Sequence, residues 1–125
     1  MAVALPITLI TKQPEKALSN ERDFFIRSNN KLHRLRLKDI LWIHADGNYC
    51  YINTAEKKFA VKISLRRLAA KLPPKEFTRI HKSYLVRTEC IDGIDIHENT
   101  VFIGQQKLPL GRVYKVELFD KLDVL

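Results

Sequence analysis

Leu41-Trp42-Ile43-His44-Ala45-Asp46-Gly47-Asn48-Tyr49-Cys50-Tyr51-Ile52-Asn53 is the stretch whose reading sets the fold class. Two runs rich in β-branched and aromatic side chains flank Asp46-Gly47-Asn48. An Asp-Gly pair between such runs predicts a β-hairpin, because glycine reaches the positive φ of a tight turn without a steric penalty.

The same rhythm extends outward. Residues 24–28 predict a strand closed by Asn29-Asn30, a pair that tolerates positive φ, and residues 32–37 predict its antiparallel return. Beyond a turn at residues 55–58, Phe59, Val61 and Ile63 alternate with Ala60 and Lys62, the pattern of a strand with one buried face. The period then changes. Leu65, Leu68, Ala69 and Leu72 recur at helical spacing, with Ser64 placed to cap them and Pro73-Pro74 to stop them, which predicts a short amphipathic helix. Strands resume at residues 77–80, 83–87, 91–96 and 100–103, with His97-Glu98-Asn99 as the last turn. Tyr114, Leu118 and Leu122 place a terminal helix at residues 113–122, packed on a sheet edge. Gly47, Gly93, Gly104 and Gly111 read as turn residues.

A chain of 125 residues, 46% of them hydrophobic, can bury one core without disulfides or metals. Residues 1–22, with little periodicity and Pro6, Pro14, Ser19 and Asn20 among them, read as a linker or N-terminal extension. The apolar residues 1–10 within it are too short for a membrane span, lack the marks of a signal peptide, and would serve as tether or accessory edge strand. Residues 23–125 are the folded domain.

Lysine and arginine number 22 against 14 acids, a formal net charge of +8 that favours a polyanionic partner. The distribution is uneven. Lys57, Lys58, Lys62, Arg66, Arg67, Lys71 and Lys75 follow one another with no acid between them, and Lys107, Arg112 and Lys115 repeat the pattern. Acids gather at Glu89, Asp92, Asp95 and Glu98. A basic and a more acidic face are expected, although such runs also arise as plain solvated surface.

Catalytic chemistry finds no support. His33, His44, His81 and His97 are scattered without metal-ligand spacing, no glycine-rich phosphate loop is present, and Ser83 lacks the flanking glycines of a nucleophile elbow. Cys50 and Cys90 are too few for a disulfide framework and are expected to pack in or near the core. The chain is expected to be no enzyme and to need no cofactor or metal.

Four blocks in fixed order carry a resemblance. They are residues 40–49, residues 65–72 with Pro73-Pro74, Phe77-Thr78-Arg79-Ile80-His81-Lys82-Ser83-Tyr84-Leu85-Val86, and Leu108-Pro109-Leu110-Gly111-Arg112. From about Phe24 to the end the chain resembles the LytTR family of DNA-binding domains, the output halves of bacterial response regulators. The resemblance implies a mainly β, elongated arrangement of small antiparallel sheets with a short mid-chain helix and a C-terminal helix, whose loops enter successive major grooves of duplex DNA.

It also implies three contact loops: Asn48 and Tyr49, with Cys50 as the alternative register; Lys82 with Ser83; and Arg112. Arg112 is expected to grip guanine through two hydrogen bonds, worth ~1–3 kcal/mol of discrimination. Lys82 stands where relatives often carry arginine or asparagine and is open to either a guanine edge or a phosphate. Arg79 and Lys115 are expected on the phosphate backbone, and Asn48 has a second possible role in holding its turn. His81 reads equally as a contact or as a hydrogen-bonded structural residue. Arg87 in place of the usual asparagine, and Gly111 in place of serine, mean that the operator sequence does not transfer.

The partners implied are promoter repeats in double-stranded DNA, a second copy bound beside the first, and an upstream receiver domain or sensor kinase, all in the cytoplasm and without a membrane. Two rival readings use the same residues: a protein-interaction module pairing through exposed strand edges, and a single-strand binder stacking bases on Tyr49 and Tyr51.

Overall fold

The structure, a computed structural model, describes residues 23–125, so the linker and accessory strand expected at residues 1–22 lie outside the described residues. The described chain falls into two compact units that divide after Lys38.

In the first unit, β1 (Phe24–Ser28) pairs with β2 (Lys31–Leu35), Ser28 opposite Lys31. Asn29 and Asn30 take φ of 51° and 64°, the left-handed pair expected for a two-residue hairpin turn. Asp23 ties both strands and the residues after them together: its carboxylate pairs with Arg34 at 3.0 Å and accepts the Leu37 N–H at 3.0 Å. The strand expected to run to residue 37 stops at Leu35 because residues Leu37–Asp39 coil into a 3-10 turn.

The second unit is built on a five-stranded antiparallel sheet, ordered β5-β4-β3-β7-β6, and a three-stranded one, ordered β10-β9-β8. The central hairpin forms where the sequence places it, β3 (Trp42–Asp46) against β4 (Tyr49–Asn53), with Asp46 opposite Tyr49 and Gly47 at φ 62°. β5 (Lys58–Val61) extends β4, while β7 (Tyr84–Arg87) lies on the other side of β3 and pairs with β6 (Phe77–His81) at the edge. Ile43, Cys50, Ile52, Leu85 and Phe77 share one face by register and are all buried.

Helix α1 (Leu65–Ala69) starts as expected, Ser64 accepting the Arg67 N–H at 3.2 Å, but ends three residues early. Leu65 and Leu68 are buried on it, and Leu72, in the turn beyond, is buried too. Pro73 and Pro74 deny the last turn its continuation.

The opposite face of the sheet carries a second apolar cluster. Ile80 and Val86 pack with Val101, Ile103, Leu108, Leu110 and Leu118, and Trp42, Tyr84 and Cys90 border them. Val101 and Ile103 come from β9 (Thr100–Ile103) and Leu108 from β10 (Gln106–Pro109), a strand with no counterpart among those expected from the sequence. Only one of its four residues faces the core, and its proline stands on an edge strand where a missing N–H is tolerated. Strand β8 is confined to Gly93–Asp95, shorter than the expected residues 91–96, and follows a 3-10 turn at Thr88–Cys90. Gly93 is therefore a strand residue, its position close to the Phe102 ring, and not a turn residue.

The chain ends in a 3-10 turn (Arg112–Tyr114) that runs into α2 (Lys115–Asp120), both packed on the edge strand β6. Both cysteines are unpaired thiols, and burial is the main cause that raises the pKa of each. Among the described residues no helix is long and apolar enough to cross a membrane.

Candidate nucleic-acid interface

Strand direction brings the expected loops together. The β3–β4 and β6–β7 turns lie at the same end of the five-stranded sheet, since His44 pairs with Tyr84 and the Ala45 N–H donates to the Ser83 carbonyl at 2.8 Å. The third loop joins them through a β-bulge. The β6–β7 register shifts between Arg79 and His81, and the carbonyl of Ile80 there accepts the Gly111 N–H at 2.7 Å. One end of the unit therefore presents Asn48 and Tyr49, Lys82 and Ser83, and Arg112.

Lys82 and Ser83 are the two central residues of a tight turn, His81 facing Tyr84 across it. Two side chains hold that turn from within. Arg79 donates from Nε to the His81 carbonyl at 3.0 Å and from Nη2 to the Lys82 carbonyl. The Ser83 N–H donates to His81 Nδ1 at 3.1 Å, which requires that nitrogen to be unprotonated. Burial, Lys82, Arg79 and His44, in that order, hold the His81 imidazole below its ordinary value near 6.5, in keeping with a neutral ring. His81 lies edge-on to Tyr84, and Tyr84 stacks on His44 at 4.4 Å, so the turn stands on a row of rings crossing the sheet.

Gly111 is needed for a close approach. Its φ of −74° suits any residue, but a Cβ there would come within 2.9 Å of the Tyr114 ring and 3.6 Å of the His81 backbone. Its expected place among the turn glycines thus gives way to a packing role. Arg112 is exposed on the 3-10 turn next to it, and Lys115, half-buried, opens α2.

Tyr49 and Asn48 are both exposed, at the tip of the central hairpin. Asn48 keeps a negative φ, the positive one falling on Gly47 alone. Cys50, the alternative register, is fully buried with its thiol donating to the Ile63 carbonyl at 3.2 Å. Beside the tip, Gly47, Asn48, Lys62, Ile63, Ser64 and Arg67 line a depression of about 290 Å³. Lys62 and Arg67 belong to the acid-free run of the sequence, but their place next to Asn48 depends on the chain folding back through β5 into α1 and has no sequence signal of its own. Of the acids, Asp95 and Glu98 belong to the turn ending at Asn99, whose carbonyl accepts the Leu110 N–H at 2.9 Å.

Arg87, which departs from the resembled pattern, takes no part in this end. It is buried, donates from Nε to the Ile40 carbonyl at 2.8 Å, pairs with Glu76 at 2.8 Å and covers the Phe77 ring at 4.6 Å. Among the described residues no cluster of histidine, cysteine, aspartate and glutamate is placed to hold a metal ion.

Comparison with known proteins supplies independent findings. Residues 30–123 match the family described as the LytTr DNA-binding domain. The sensory transduction protein LytT of Bacillus subtilis is 29% identical over 91 residues, covering 70% of this chain and 38% of that protein. The transcriptional regulatory protein LytR of Staphylococcus aureus is 30% identical over 104 residues, covering 80% of this chain and 42% of that protein. The chain thus spans about two fifths of the length of these relatives. Among solved structures, the LytTr DNA-binding domain of a putative methyl-accepting/DNA response regulator from Bacillus cereus superposes with a TM-score of 0.69 at 19% identity, over 79% of this chain and 94% of that one. That likeness establishes a shared fold of small antiparallel sheets with short helices.

Proposed function

Because the chain belongs to the LytTR DNA-binding domain family, we propose that it reads a specific double-stranded DNA site through the three loops at one end of its second unit, and so controls bacterial transcription. The observation that carries this reading is the convergence of Lys82, Ser83 and Arg112, braced by backbone hydrogen bonds to one bulged strand, at the end that also carries Asn48 and Tyr49. Loops fixed in this way meet a groove without first losing their own freedom, which favours specific over merely electrostatic binding.

Each side chain has a role. Arg112 takes guanine through paired hydrogen bonds, and Lys82 takes a guanine edge or the adjoining phosphate. Ser83, Tyr49, Asn48 and Lys115 fix register on the phosphate backbone. Arg79 acts on DNA through the turn it holds. Residues 23–125 are the binding domain and residues 1–22 its tether. The protein works as a binder and not as an enzyme, in the cytoplasm, as the output domain of a two-component regulator. Two copies occupy repeated half-sites, and phosphorylation of a receiver domain raises affinity by pairing them. The names of the relatives, a sensory transduction protein and a transcriptional regulatory protein, support the regulatory part.

Selection of duplexes from a random pool tests the reading. It predicts a repeated motif within which Arg112→Ala relaxes preference at a guanine position. An interaction module would instead yield no motif, and its residual DNA affinity would fall with salt for every sequence alike.

A further inference from the structure

Val113 and Val116 are the anomaly of the loop end. Val113 is 84% exposed and Val116 70% exposed, whereas their neighbours Tyr114 and Leu118 turn inward, Leu118 into the core. Three positions apart, they share one side of the 3-10 turn and the first turn of α2. That turn is fixed by the Gly111 N–H on Ile80 and the Tyr114 N–H on Gly111, and Arg112 directly precedes Val113 in it. Valine is stiff at χ1, so a rigid backbone presents a rigid apolar surface. Nothing among the described residues covers that surface, and its surroundings name its partner. Arg112 and Lys115 alternate with the two valines, and Lys82 stands in the adjoining turn, a setting that suits the one apolar group duplex DNA offers at a base edge, the C5-methyl of thymine in the major groove.

We propose that Val113, supported by Val116, reads thymine by its methyl group beside the guanine taken by Arg112. The proposal rests on the DNA-binding reading above and adds a specificity determinant to it. A positive charge alone does not distinguish a thymine, but a methyl packed against a fixed valine does, by about fourfold for one buried methyl group.

The test uses the whole chain and the duplex it selects, with each thymine replaced in turn by deoxyuridine, which pairs identically and lacks only the methyl. The expected result is one thymine per half-site whose replacement weakens wild-type binding about fourfold, and leaves Val113→Ser binding unchanged. Both valines are exposed, so serine there leaves the core intact, and unchanged thermal unfolding of the variant verifies this. Two outcomes overturn the proposal while leaving specific DNA binding intact: no thymine is sensitive, or the same thymine is equally sensitive in wild type and variant. A Val113→Ser chain that keeps the thymine response but loses self-association in sedimentation also overturns it, assigning the valines to a second copy. Absence of any selected motif removes the DNA-binding reading itself.

Discussion

Replacing Arg79 by methionine removes the guanidinium and keeps the length and apolar body of the stem. The lost bonds are two, to the His81 and Lys82 carbonyls. Hydrogen bonds to a charged group contribute about 1.5–3 kcal/mol each, but the side chain is half-buried and water reaches the vacated carbonyls, so the pair together is worth about 2 kcal/mol. At a urea dependence of about 1–2 kcal/mol per molar, the unfolding midpoint falls by about 1–2 M. The consequence for DNA is separate. Releasing one residue of the Lys82-Ser83 turn adds about 1–2 kcal/mol of ordering to each binding event, a loss of about tenfold in affinity. The assay is a binding titration at several salt concentrations beside urea unfolding. A brace leaves the slope of log affinity against log salt unchanged, whereas a direct phosphate ligand lowers it by about 0.9 when removed. A variant with wild-type stability and a slope reduced by that amount refutes the bracing role.

Three further outcomes are expected. Arg87→Met destabilises by about 2–3 kcal/mol in urea unfolding, because the Ile40 carbonyl is buried, while Glu76→Gln costs under about 1 kcal/mol, its side chain being 36% exposed; equal losses contradict this. His81 has its folded pKa held below 6.5 by burial and then by Lys82, Arg79 and His44, with the Tyr84 ring beside it, so its stabilising contribution is complete above 6.5 and is lost as pH falls through the lower folded value. His81→Gln, which still accepts the Ser83 N–H and does not titrate, flattens that part of the stability profile, and parallel profiles sink the idea. Gly111→Ser drives a Cβ into the Tyr114 ring and costs about 1–3 kcal/mol in thermal unfolding, most of it restored when Tyr114→Ala is added; an additive pair shows that the contact is not the cause.

The sequence carries some of these features and not others for physical reasons. Turns whose φ demands a particular residue are legible, which is why Asn29-Asn30 and Gly47 locate two hairpins and Ser64 locates the start of α1. Ends of elements set by tertiary packing are less so: α1 stops at Ala69 although Leu72 keeps the helical period, since a buried leucine is equally served by a turn. β10 is silent because an edge strand with one core residue has no alternation to display. At the loop end, charge and family pattern identify Lys82, Ser83 and Arg112. The inward fold of the Arg79 guanidinium onto two carbonyls, and the approach of Lys62 and Arg67 to Asn48, are long-range results of topology. Val113 escapes any search keyed to charge.

That one end of the second unit meets DNA is tested most directly by following backbone amide resonances of the labelled chain as the selected duplex is added. Shifts are expected to concentrate at residues 47–49, 81–84 and 111–116, while the turns at residues 54–57 and 104–105, at the far ends of their strands, stay still. Shifts centred on those far turns, with the three loops unmoved, would contradict it.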